Sequence, residues 1–356
     1  MRMTVIDGHA NRGSLRQGAG ARRFARPGAS HDRPSDARTP FRSHEDPVKC
    51  STCMNGDDSL TRAARVALLL VSLSAGSSES RSQTPATSQP IRQIDHIMIR
   101  TGDPRELYAL FAETLQLPIA WPLTSPRAGV MTGGVGFGNV NVEAIQFPGQ
   151  TDPRPRLLGF ALEPSALDES VIELNRRGLT SGERRSLVAT GPDGSKRTLW
   201  TNVTLRQFSD SDSPADATIH IFLSEYSPTY VNVDERRARL RAQLISGGGG
   251  PLGVVEVKEI IIGTVDMEMA RRWWQRLVDP TPSAGSSNTW QIGAGPAVRL
   301  VPANENRVQA LLIRVASLER AKAFLREKQL LGVDAAGQVT IDPSKIGGLD
   351  LRLVER

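Results

Sequence analysis

Residues 95–111 read DHIMIRTGDPRELYALF, and residues 258–274 read KEIIIGTVDMEMARRWW. The two align without a gap. Each has an apolar strand-like run, a turn, and then apolar residues at helical spacing. Asp103 falls on Asp266, Leu107 on Ala270 and Phe111 on Trp274. In the first copy Asp103 suits an N-cap and Pro104 the first helical position, and Leu107, Leu110, Phe111 and Leu115 share a helix face. A chain that writes one strand–helix unit twice is built by duplication.

Working outward, the segments PIAWPL, AGVMTGG and NVNVEAIQF follow the first helix, each strand-like and separated by Gly or Pro. That makes one β-α-β-β-β unit. A second follows: RLLGFALEP, the helix SALDESVIELNRRGL with Ser165 and Asp168 set as a capping box, then SLVATG, RTLWTNVTLRQF and ATIHIFLSEY. VDERRARLRAQLI reads as a polar helix with a solvated basic face, and SGGGGPLG as a linker. A third unit begins at residue 254 and a shorter fourth at 308. Each pair of units is followed by a linker or the chain end, so the repeat is a paired module and not a solenoid. The expected fold is α+β: four βαβββ modules paired into two half-open mixed β-barrels after a disordered N-terminal leader. The expected divisions are a first domain over 91–230, a helix and Gly-rich linker over 231–252, and a second, degenerate domain over 253–356.

The 356-residue chain is 39% hydrophobic and 23% charged, as in soluble globular proteins. Its net charge of +6 is concentrated at one end, where residues 1–53 hold ten Lys and Arg against five Asp and Glu. The remainder is near neutral, which argues against a surface that must neutralise a nucleic acid backbone. Residues 1–53 are rich in Arg, Gly, Ser and Pro and are expected to be a disordered basic tail, or an untranslated leader. Met54 opens a segment with Arg62 and Arg65, an apolar run from Val66 to Leu73, and small residues after it. This is the layout of a signal peptide, with a linker to residue 90, and the run is too short to span a bilayer. With Met54 as the start, the mature protein is exported, periplasmic or secreted, with no stable membrane span after cleavage. Otherwise it is cytoplasmic. Cys50 and Cys53 form a C-x-x-C pair with no second pair and are read as a chance spacing.

Four such modules in two pairs, with DHIMI opening the first strand and GNVNVEAIQF closing the fourth, resemble the vicinal oxygen chelate superfamily of glyoxalases, bleomycin-resistance proteins and extradiol dioxygenases. The resemblance covers about 92–230 well and 254–356 loosely. It implies a half-open barrel per module pair, with a divalent metal on the inner face held from the first and last strands of each module. On that pattern His96 matches the first-strand ligand and Glu143 the last-strand ligand of module one. Strand alternation agrees: His96 and Met98 share a side, as do Asn141, Glu143, Ile145 and Phe147. An imidazole beside a carboxylate suits Zn²⁺, Fe²⁺, Mn²⁺, Ni²⁺ or Co²⁺ without distinguishing them. The plainer alternative for Glu143 is an ion pair with Arg100 or Arg127.

The remaining ligand positions depart from the pattern. Module two offers Gly159 and Phe222, and His220 lies one pleat repeat from Phe222, about 7 Å along the strand. His220 is a third ligand only with a register shift of two. Module three puts Glu259 and Arg299 at the two positions, which reads as a salt bridge because arginine has no lone pair to give. The expected site is therefore His96, Glu143 and His220 around a metal. Glu143 or a metal-bound water moves a proton, and Trp121, Asn141 and Phe222 line the pocket, with Trp200 nearby. Trp273 and Trp274 sit on a helix, at least one of them as core. The resemblance implies a metal-dependent lyase, isomerase or dioxygenase acting on a small molecule. The alternatives are a non-catalytic small-molecule binding protein of the bleomycin-resistance type, and a structural module whose ligands are relics.

Overall fold

The computed structural model describes residues 2–6, 89–278 and 288–355. The expected signal peptide and the Cys50–Cys53 pair lie outside the described residues. β1 (Arg2–Ile6) falls within the segment expected to be a tail. Its RMTVI sequence is rich in β-branched residues and pairs as an edge strand.

Module one comprises β2 (Ile91–Arg100), α1 (Pro104–Ala109), β3 (Ile119–Arg127), β4 (Val130–Gly136) and β5 (Asn141–Gln146). Asp103 caps α1 by accepting from the Arg105 N–H at 3.0 Å, and a π-helical turn over Leu110–Thr114 follows. Module two comprises β6 (Arg156–Pro164), α2 (Leu167–Arg176), β7 (Ser181–Thr190), β8 (Lys196–Leu205) and β9 (His220–Tyr226). The capping box expected at Ser165 does not form. Ala166 is the N-cap residue, and the carboxylate of Glu225, at the end of β9, accepts from the Leu167 N–H at 2.9 Å. After α3 (Val233–Ser246) come β10 (Val254–Thr264), α4 (Met267–Val278), β11 (Thr289–Gln291) and β12 (Ala297–Pro302). The fourth module is β13 (Arg307–Val315), α5 (Leu318–Glu327), β14 (Leu331–Ala335), β15 (Gln338–Ile341) and β16 (Leu351–Val354).

The caps repeat in pairs. Asp266 caps α4 through the Met269 N–H at 2.8 Å, as Asp103 caps α1, and Glu355 reaches the Leu318 N–H at 3.1 Å, as Glu225 reaches Leu167. The repeated unit is thus a pair of modules: an aspartate caps the first helix of each, and a glutamate near the end of β9 or just after β16 reaches the second, where α5 also has Ser317 as its N-cap residue.

Among the described residues the strands form a nine-stranded sheet, in the order β1-β7-β8-β9-β6-β2-β5-β4-β3, and a seven-stranded sheet, in the order β11-β12-β10-β13-β16-β15-β14. In the first sheet β2 lies parallel to β5, β6 parallel to β9, and β2 antiparallel to β6 at the centre. The second repeats this with β10 parallel to β12, β13 parallel to β16 and β10 antiparallel to β13. Both sheets therefore have the paired-module order the sequence predicts. A single large apolar core runs between the helices and both sheets, from Ile94, Ile97 and Phe160 to Trp274, Leu311 and Val339. On the other face of the first sheet a small second cluster forms around Met98, Ile145, Leu158 and Phe222. No helix among the described residues is long and apolar enough to cross a membrane.

Candidate functional site

The centre of the first sheet carries a β-bulge. Ile94 pairs with Leu162 and His96 with Ala161, so Asp95 is an extra residue on β2. A bulge opposes two residues to one and disturbs the alternation of faces. Here Asp95 and His96 turn to each other, and the imidazole Nδ1 lies 2.8 Å from Asp95 Oδ2. Both side chains are buried. On β5, Asn141 pairs with His96 and Glu143 with Met98. That offset carries Glu143 back to His96, with Oε2 3.4 Å from Nε2.

A continuous line of polar groups results. Trp121 Nε1 donates to Thr132 Oγ1 at 3.3 Å, and Thr132 donates to Glu143 Oε1. Glu143 faces His96, His96 bonds Asp95, and Tyr226 donates to Asp95 Oδ2 at 3.2 Å. Arg236, from α3, closes the line with a 2.6 Å bond to Asp95 Oδ1. Its guanidinium stands 5.7 Å from the Trp121 ring centre and 5.2 Å from that of Tyr226. Asn141 donates to the Asp95 carbonyl at 3.4 Å. The rings of Trp121 and Phe222 both stand edge-on to His96 at 6.0 Å.

Burial and charge oppose each other along this line. Burial would raise the Asp95 carboxyl, but the His96 hydrogen bond and the Arg236 charge outweigh it and hold the group below the usual carboxylate range. Burial would depress the His96 imidazole, yet Asp95 and Glu143 together push it up. Burial raises Glu143, and the opposing pull of His96 and Thr132 only partly offsets this. Asp95 thus stays an anion and fixes the proton on Nδ1, leaving Nε2 to face Glu143. A proton between Nε2 and Oε2 belongs to either group, so the pair can donate or accept one hydrogen toward a bound molecule.

The donor set matches the metal that the resemblance implies at two corners only. Two donors 3.4 Å apart match neighbouring corners of a tetrahedral zinc shell, whose edge is about 3.3 Å for bonds of ~2.0 Å. Asp95 occupies the outer position behind a ligating histidine. The other corners do not fit. A Cβ on Gly159 would lie 1.9 Å from the His220 carbonyl oxygen, so β6 can present no side chain there. Phe222 occupies the matching place on β9. His220 pairs with Gly159, not with the row of His96. Its ring lies against Phe222 at 5.2 Å and its Nδ1 points to the Ser211 carbonyl at 3.3 Å. The expected third ligand is therefore not brought together with His96 and Glu143. Among the described residues no three His, Cys, Asp or Glu side chains are grouped to hold a metal. With two donors and a guanidinium already opposite Asp95, the residues present do not fit a resident divalent ion.

In the second sheet Glu259 pairs with Ala297 and Ile261 with Arg299, the same offset that relates His96 to Glu143. The expected salt bridge forms there, Arg299 Nε to Glu259 Oε2 at 2.7 Å. Among the described residues neither Arg100 nor Arg127 pairs with Glu143, and Arg100 donates instead to the carbonyls of Ala215 and Ala217. Trp200 lies against Tyr226 and Tyr230 in tilted ring contacts, with centres 6.3 and 5.8 Å away. Sequence reasoning missed Asp95, Thr132, Tyr226 and Arg236. The basic face of α3, read as solvated, is so only in part: Arg236 and Arg237 turn inward to Asp95 and Glu163. The available signal was a buried-strand aspartate, Asp95, that needed a cation.

No family model matches the chain, and no curated protein matches it. Solved structures do. A hypothetical protein from Staphylococcus aureus is 10% identical over 74% of this chain and 98% of its own, with a TM-score of 0.48. Homoprotocatechuate 2,3-dioxygenase from Arthrobacter globiformis is 11% identical over 75% of this chain and 80% of its own, with a TM-score of 0.47. A variant of the Brevibacterium fuscum homoprotocatechuate 2,3-dioxygenase is 11% identical over 76% and 74%, with a TM-score of 0.45. The strand order and the parallel and antiparallel pairings of this chain settle its architecture. It is the paired half-barrel of βαβββ modules that the sequence's resemblance to the vicinal oxygen chelate superfamily implies. Such a fold supports many activities and names none by itself.

Proposed function

We propose that the first half-barrel binds a small polar molecule over His96 and Glu143, and that it does so without a resident metal. The observation that carries this reading is at Gly159 and Phe222. Two of the positions from which such a barrel would complete a metal shell hold a glycine with no room for a side chain and a phenyl ring. What remains is a hydrogen-bonding pair flanked by Trp121, Phe222 and Tyr226, which suits a ligand with a flat body and one exchangeable proton. Binding or sequestration is favoured over metal-dependent lyase or dioxygenase chemistry for the same reason. An exported location, resting on the segment after Met54, belongs to this reading, and peptide mapping of the native protein tests it.

The experiment is metal analysis of the purified chain by mass spectrometry, beside His96→Ala and Glu143→Ala, followed by thermal melting against a panel of small aromatic acids, catechols and α-dicarbonyl–thiol adducts. The expected result is no stoichiometric metal and a ligand-dependent rise in melting temperature that both variants lose, with no turnover. Near-stoichiometric metal in the wild type, lost in both variants, would overturn the reading and restore the chelate enzyme.

A further inference from the structure

Away from His96, at the far end of the central strand pair, a cleft of about 690 Å³ opens where β2 and β6 meet β13 and the segment 343–350. Its walls carry Arg100, Arg154, Arg156 and Arg307 against Glu305 and Asp350. The two central arginines are direct cross-strand partners, Arg100 on β2 opposite Arg156 on β6. Like charges in that position repel and weaken a sheet. The Arg156 charge, after burial, is the next largest influence holding Arg100 below its ordinary basicity.

The carboxylates nearby are already engaged. Asp152 binds Arg154 through both oxygens, Glu305 binds Arg307 at 3.0 Å, and Asp350 binds Arg352 at 2.6 Å. Asp152, Asp210 and Asp216 act on Arg100 from a distance and Asp152 also feels the Arg156 charge, but Asp152 is bonded to Arg154 and Asp210 accepts from the Thr218 and Ile219 N–H groups. Among the described residues Arg100 bonds only carbonyls, those of Ala215 and Ala217. The Arg156 guanidinium makes no hydrogen bond or ion pair that the described residues supply. Two positive charges are thus left facing a cleft of the size small molecules occupy. Leu157, Val308 and Leu349 add apolar wall beside them.

We propose that this cleft is a second ligand site, for a small organic anion whose phosphate or carboxylate group is held between Arg100 and Arg156 and whose apolar body lies along Leu157 and Leu349. An oxyanion converts the repulsive pair into a clamp, because a guanidinium fork matches both headgroups. The site is independent of the reading given to His96 and Glu143.

The test is calorimetric titration and thermal melting of the whole chain with phenyl phosphate, benzoate, inorganic phosphate and, as the uncharged comparison, benzyl alcohol. The variants are Arg156→Ala and Arg156→Lys, with Arg176→Ala on α2 as a control. The expected result is one equivalent of phenyl phosphate or benzoate bound, with the tighter of the two naming the headgroup. Affinity falls at least tenfold in Arg156→Ala, recovers in part in Arg156→Lys and is unchanged in Arg176→Ala. Without ligand, Arg156→Ala melts no lower than the wild type, because a repulsive pair has been removed. Three outcomes would overturn the proposal: no saturable binding of either aromatic anion, equal affinity in Arg156→Ala, or inorganic phosphate and phenyl phosphate acting alike in wild type and variant. A clearly lower melting temperature for unliganded Arg156→Ala would also sink it, by making Arg156 a structural residue.

Discussion

Gly159 does more to define this site than any residue in it. The backbone of β9 passes so close that a single methyl group would meet the His220 oxygen at 1.9 Å. Gly159→Ala is expected to cost about 3 kcal/mol or more, since the clash is with main chain and cannot be relieved by a rotamer. Denaturant melts would show it as a lowered midpoint at constant slope. The neighbouring His220 makes the second prediction. Burial pulls its imidazole down to about 4, helped by the Arg185 charge, while the Ser211 carbonyl and the carboxylates of Asp210 and Asp212 oppose it. A histidine whose folded pKa lies below its unfolded value near 6.5 leaves stability intact above 6.5 and removes it as pH falls toward 4. The loss over that window is about 3 kcal/mol, at roughly 1.4 kcal/mol per unit. His220→Gln is expected to flatten that part of the stability–pH curve, and an unchanged curve would refute the assignment. The raised groups His96 and Glu143 act with the opposite sign, each losing stability as pH rises through its own window.

α3 is held in two different ways along its length. Its buried apolar residues, Leu240 and Leu244, lie toward its C-terminal half. Its N-terminal half is tied down by ion pairs, Arg236 to Asp95 and Arg237 to Glu163, both at 2.6 Å, and Asp234 to Arg92 at 3.2 Å. The exposed Asp234–Arg92 pair weakens with salt, whereas the buried Arg236–Asp95 pair and the apolar contacts are screened far less. Amide exchange at the first turn of α3, where Asp234 sits, is therefore expected to quicken modestly as salt is raised from low concentration to about 0.5 M, the Debye length then falling below roughly 5 Å, while exchange around Leu244 stays slow. Arg236→Ala is expected to be the costly change, about 3 kcal/mol, because it strands the buried Asp95 carboxylate without its cation. Uniform exchange along the helix at both salts would refute the division.

The two sheets share one core, and Trp274 joins them. This α4 side chain is buried against Phe160 of β6, Phe208 and Trp290, with ring centres 5.0 to 6.2 Å apart. Trp274→Ala is expected to cost about 4 kcal/mol through the cavity it leaves. The loss is expected to fall on both halves at once, as a single shifted unfolding transition by fluorescence and by calorimetry. Two separated transitions would show that the halves fold independently.

Much of this molecule is legible in its residues because the signals are local. The module count, the alternation of strand and helix and the Asp103 cap follow from spacing along the chain, and the resemblance carried the first module's ligand positions onto Glu259 and Arg299, which pair. Period-two alternation put His96 with Met98, and Asn141 with Glu143, on one side of their own strands, and the pairing of β2 with β5 brings those sides to one face. The same rule hid Asp95, because strict alternation sends it to the opposite face and only the bulge against β6 returns it. Arg236 was hidden by distance: nothing in a basic helix says which of its charges will meet a buried carboxylate far away in the chain. The cap of α2 by Glu225, the blocking of Gly159 by the His220 carbonyl and the Arg100–Arg156 juxtaposition are likewise contacts between strands. The sequence by itself determined which elements form and which face of each is apolar, since those depend on side chains a few residues apart. Tertiary structure alone decided which polar groups meet and how much room is left between them, because those depend on register and on close approach of backbones distant in sequence.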